Sequence, residues 1–210
     1  MSAPDNALAD HFRFAQSPVM WLLTALALLE SAAQNYHAAA EQAERYARAE
    51  HEATTRANAK IDAESLESAV EPIDAAEPKF LPAFMLYGFA LENLLKGIIV
   101  MNDPTRIRDK RIGVPRIHNL VSLADIAGVS LTEDENRLLD ALTTITEWSG
   151  RYPVALDLTN FQPIGIDRDS VVRRHADVHA RVVAFAHRLR ASLSQFEPRQ
   201  RGGVIVVWRE

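Results

Sequence analysis

Apolar and polar positions alternate with a helical period over most of this chain. A dense apolar stretch, Met20, Trp21, Leu22, Leu23, Leu26 and Leu29, follows Pro18. Proline suits a first helical turn, where its missing N–H would be unpaired anyway. Strong helix formers (Ala, Glu, Arg) continue to about Ala69. That second half holds few large apolar residues and has little to bury. It predicts a projecting helix, a hairpin broken near Thr54 to Asn58, or a partly frayed segment. Glu71-Pro72 and Glu77-Pro78 mark the linker that follows.

Phe80 to Val100 is apolar nearly all round, which predicts a helix at the centre of a bundle, ended by Asp103-Pro104. A basic loop leads to His118-Asn119 and a short helix from Leu120 to Ala127, with Gly128 as its stop. Thr132-Glu133-Asp134-Glu135 spells a capping box for a fourth helix, whose stripe is Leu138, Leu139, Leu142, Ile145 and Trp148. After Gly150, a loop beginning Arg151-Tyr152-Pro153 precedes a fifth helix starting near Asp167 to Ser170. Val171, His175, Val178, Val182, Phe185 and Leu189 form a seam on it, for this bundle or for another copy. Val204 to Trp208, behind Gly202-Gly203, is β-prone and could pair with Val154 to Leu158 or with a partner chain. No internal repeat is present.

Length and composition sharpen this picture. The chain has 210 residues, 48% of them hydrophobic and 24% charged, which suits a globular domain. It has no cysteine, which removes disulfides and thiolate chemistry and fits a reducing, cytoplasmic setting. The first residues lack the basic-then-apolar order of a secretory signal. Val19 to Leu29 is short of the ~20 residues needed to span a bilayer. Phe80 to Met101 is long enough but carries Glu92, Asn93 and Lys96, which are costly in lipid, so no membrane partner is expected. The net charge of −5 is uneven: ten acids face five bases between Glu41 and Lys79, whereas Arg106, Arg108, Lys110, Arg111 and Arg116 make the next loop basic. Such asymmetry fits either solvated faces or an anionic partner.

Chemistry is sparse. Glu92 and Lys96, four apart, share one face of the central helix; Asn93 lies about 100° away and Gly88 one turn earlier, where it permits close helix approach. Buried charges must be paired, so this strip either fixes helix register or lines a cleft or interface. His118, at a helix start, can serve as a cap or as an acid–base group. His175 and His179 have the i,i+4 spacing of metal ligands but lack a third donor, so a core role is expected and no metal or cofactor. Glycine-rich phosphate loops, GxSxG elbows and zinc spacings are absent from the sequence.

Three segments, Tyr87-Gly-Phe-Ala-Leu-Glu-Asn-Leu-Leu-Lys96-Gly97, His118-Asn-Leu-Val-Ser-Leu123 and Glu147-Trp-Ser-Gly-Arg151-Tyr-Pro153, resemble the successive landmarks of HEPN domains. The resemblance covers about Phe80 to Phe196 and leaves out the first 79 residues. It implies an up-and-down helical bundle, usually dimeric, of the kind found in bacterial toxin–antitoxin, phage-defence and stress systems. Many members are metal-independent endoribonucleases using an R-x4–6-H motif. By the same resemblance Arg151 is the motif arginine, with Glu92, Lys96 and His118 around the site. The chain departs from the active pattern: YPVALDLTN follows Arg151, with no histidine four to six residues on. The spacing recurs at Arg174/His179 and Arg181/His187, inside a helix where the paired side chains diverge.

These readings give an all-α, up-and-down, HEPN-like bundle over residues 80–196. A helical extension over 1–79 precedes it and a tail with a short strand, 197–210, follows. The expected role is a homodimerising module of a defence, stress or toxin–antitoxin system that binds nucleotide, RNA or a protein partner. The strip Glu92, Asn93 and Lys96 would take the ligand, and residues 33–69 or the C-terminal strand could take the protein. One alternative is a metal-independent endoribonuclease with Arg151 and His118, or Arg174 and His179, as catalytic residues. The other is a purely structural helical adaptor.

Overall fold

The computed structural model describes residues 3–61, 72–149, 168–197, 199–201 and 204–206. The described residues are predominantly helical: α1 (Ala3–Ala15), α2 (Pro18–Ile61), α3 (Leu81–Asn102), α4 (Leu120–Ile126), α5 (Glu133–Thr144) and α6 (Arg168–Ser192). α3 is the hub. Pro82 sits in its first turn, and buried residues occupy every side of it from Ala83 to Val100. By length and composition α3 could cross a membrane, but 72% of its most apolar window is buried inside the protein, the pattern of a core helix.

α2 runs antiparallel along α3. Its Tyr36 meets Phe80 and Phe84 at the start of α3, while Trp21 packs across Gly97 near the other end. α2 does not break near Thr54 to Asn58, and its second half is not bare. Leu22, Ala25, Leu29, Ala32, Tyr36, Ala39, Ala43, Tyr46 and Ala53 recur in steps of three, four or seven, and all but the partly covered Leu29 are buried. The seam is built of alanine, whose small side chain lets helices approach closely. One hydrophobic cluster takes in α2, α3, α4, α5 and α6. Residue 79 is therefore no physical boundary: α2 is a wall of the bundle rather than an appended extension. Position 62 and the residues up to 71 lie outside the described part, as do Val154 to Leu158 and Arg151.

The shorter elements follow local chemistry. Asn119 caps α4 by accepting from Ser122 N, and Gly128 supplies the positive φ of 70° after it. Thr132 and Glu135 form the reciprocal capping box of α5. Ile145–Ser149 then widens into a π-helical turn, where a regular helix through Trp148 was expected. Thr146 Oγ1 bonds the carbonyls of both Leu142 and Thr143, each at 3.0 Å, and so competes with the main-chain ladder there. The seam of α6 faces its own bundle: Val182, Phe185 and Leu189 are buried. α1 was not foreseen, and Val204–Val206 pairs antiparallel with the neighbouring Arg199–Arg201.

Candidate functional site

Glu92 and Lys96, 8% and 7% exposed, are the charged side chains buried in the core among the described residues. Lys96 Nζ donates to Glu92 Oε1 at 2.5 Å. The same carboxylate lies 3.1 and 3.2 Å from His118 Nδ1. A carboxylate accepts only, so Nδ1 carries the proton and Nε2 of this half-exposed ring is left for solvent or ligand. His118 is held there because α4 is pinned to α5: Leu120 N donates to Thr143 Oγ1 at 3.0 Å, and Thr143 Oγ1 donates to Leu139 O.

Two residues that carry no motif complete the surroundings. Trp21 lies over Lys96, with its ring centroid 6.0 Å from Nζ, close enough for a cation–π contact. Its indole N–H donates to Gln16 O. The buried Gln16 reaches across to the basic loop, Nε2 donating to Arg108 O at 2.7 Å and Oε1 accepting from Arg108 N at 3.3 Å. That contact joins positions 92 residues apart, which no local spacing reveals. A tryptophan one turn inside an apolar helix start was the only cue to Trp21.

The remaining sequence candidates lie elsewhere. Asn93 turns back on its own helix, donating to Phe89 O at 2.7 Å, and does not join the pair. Arg174 is exposed, whereas His179 stacks on Tyr36 with centroids 3.7 Å apart, so the Arg174/His179 pairing is not formed within the chain. Arg181 pairs with Asp177 and donates to Asp134 O, and His187 is exposed at the rim of a groove between α2 and α6. Arg151 lies outside the described residues.

His175 and His179 dock α6 onto an aromatic box. His175 stacks on Phe80 (4.2 Å) and Phe84 (5.1 Å), and His179 Nδ1 lies 3.0 Å from the hydroxyl of the buried Tyr87. Burial pushes that phenol up to about 12, helped by Tyr36. Among the described residues no group of three His, Cys, Asp or Glu is arranged to hold a metal. Burial lowers both imidazoles below their usual 6.5, with His37 adding to the effect at His179. The unfolded chain therefore binds protons more readily than the folded one. Stability from these rings is complete above about 6.5 and is lost as pH falls from there toward the folded values. Melting temperature should thus drop between pH 7.5 and 5.5, and less so in His175→Phe, which keeps the stack without the proton. An equal drop in both proteins would remove His175 as the cause.

Comparison with protein-family models, with curated proteins and with solved structures finds no match to this chain.

Proposed function

We propose that this chain is a HEPN-like, dimerising helical module of a bacterial defence, stress or toxin–antitoxin system, which binds RNA or a nucleotide at the Glu92–Lys96–His118 site. The carrying observation is a buried ion pair whose carboxylate also orients a half-exposed histidine. A purely structural pair has no need of a third, solvent-facing partner. With the described part of α6's seam spent on its own bundle, a second copy could seat on the groove of about 300 Å³ between α2 and α6, lined by Leu26, Leu29 and Val183. Light scattering of a dimer at micromolar concentration supports this part, and a monomer at high micromolar concentration defeats it.

A ribonuclease is the second reading, favoured by the Glu92–His118 contact itself. A carboxylate on Nδ1 fixes the tautomer that leaves Nε2 as a proton acceptor, the arrangement a general base requires. Total RNA incubated with the purified protein, beside His118→Ala and Arg151→Ala, separates the two. The binding reading expects retention of RNA with no cleavage. Cleavage that disappears in either variant establishes the enzyme instead.

A further inference from the structure

Between α3 and α4 the chain makes a closed loop. Gly113 lies so close to Arg106 that a Cβ there would sit 2.0 Å from the Arg106 carbonyl oxygen, so glycine is what lets the two arms meet. Val114, buried, anchors the far arm, and Gln16 grips Arg108 through both its N–H and its carbonyl. A compact loop whose ends touch holds its tip in one place without strands or helices.

The tip carries charge that the protein does not use. Arg106 is engaged by Asp103, and Asp109 by Arg13 at 3.2 Å. Arg108, Lys110, Arg111 and Arg116 are exposed and form no ion pair among the described residues. They stand out against a chain of net charge −5, so a polyanion would be repelled by much of the remaining surface and drawn here. The loop is also wired to the site: Arg108 is held by Gln16, Gln16 O accepts from Trp21, Trp21 covers Lys96, and Lys96 pairs with the carboxylate that holds His118. Only four residues separate Gly113 from His118.

We infer that the 106–113 loop is the phosphate-gripping element of an RNA site, presenting Arg108, Lys110 and Arg111 to the backbone of a single strand whose next phosphate reaches His118. This rests on the RNA-binding reading above. Arginine's planar fork suits phosphate, and two of the three tip cations are arginine. A membrane surface fits less well, since a lasting hold on a bilayer pairs a basic cluster with an apolar face, and Ile112 is the tip's single exposed large apolar residue. No aromatic ring lies at the tip to stack a base, so binding there should be indifferent to sequence.

The test is fluorescence anisotropy of labelled single-stranded RNA of about 12 nucleotides, within the usual site size, titrated with the full chain at several salt concentrations. The Arg108→Ala/Lys110→Ala/Arg111→Ala protein should bind about tenfold more weakly or worse, and its slope of log affinity against log salt should shrink by about 2. Arg45→Ala/Arg48→Ala/Lys79→Ala, which removes as many exposed cations elsewhere, should bind as the parent does. Gln16→Ala keeps every charge but frees the loop, and should weaken binding several-fold while thermal melting confirms that the variant is folded. If the parent binds RNA and the loop variant binds equally well, the loop is not the grip, though the RNA reading survives. If the parent binds no RNA, both fall. Loop-dependent retention on phosphatidylserine vesicles without loop-dependent RNA binding would also overturn the inference.

Discussion

Gly88→Ala should lower the melting temperature by several degrees, up to roughly 8 °C, despite alanine's better helix propensity, and Thr146→Ser should restore most of the loss. A Cβ at position 88 would lie 2.3 Å from Thr146 Cγ2, a separation that real Cβ atoms do not show. Thr146 cannot swing aside cheaply, because it is buried and its hydroxyl is bonded to two carbonyls at the end of α5. The strain of overpacking, about 1–3 kcal/mol, then exceeds the ~1 kcal/mol that alanine gains over glycine in a helix. Serine at 146 removes the clashing methyl and keeps the hydroxyl. A Gly88→Ala protein that melts higher than the parent would show that α3 and α5 are not in contact there.

The second large effect is at the buried pair. Glu92→Ala should cost about 3–5 kcal/mol, because Lys96 loses its one ion-pair partner among the described residues and keeps the Trp21 ring beside it. Lys96→Met should cost less, since Glu92 keeps His118. Glu92→Leu/Lys96→Met removes both charges at similar volume and should regain most of the stability, as buried pairs replaced by apolar side chains commonly do. Chemical denaturation of the three proteins measures this. Single variants within about 1 kcal/mol of the parent would mean that the pair is solvated rather than buried.

What was legible in the sequence were features with a local cause. The central position of α3 follows from apolar residues on all its sides, and the approach at Gly88 from a missing side chain. The Glu92–Lys96 contact follows from i,i+4 spacing, and the start of α5 from the Thr132/Glu135 reciprocity. The seam of α2 was misread because a scan for large apolar residues passes over Ala25, Ala32, Ala39, Ala43 and Ala53. Their spacing was the signal and their size concealed it. Gln16 was invisible for another reason: a side-chain amide that bonds a backbone 92 positions away has no sequence pattern. The Glu92–His118 contact has no local spacing either: the family resemblance put the two residues at one site, and Thr143 holding α4 is what brings them together.

That alanine seam has a consequence for how α2 can vary. Its covered positions keep a seven-residue phase from Leu22 to Ala53, so excising a whole heptad leaves every later alanine aimed at the body. Losing a single residue instead rotates all that follows by about 100° and turns Ala43, Tyr46 and Ala53 outward together. The long rod is therefore geared to the bundle in steps of two turns, and its length is quantised where its surface is not.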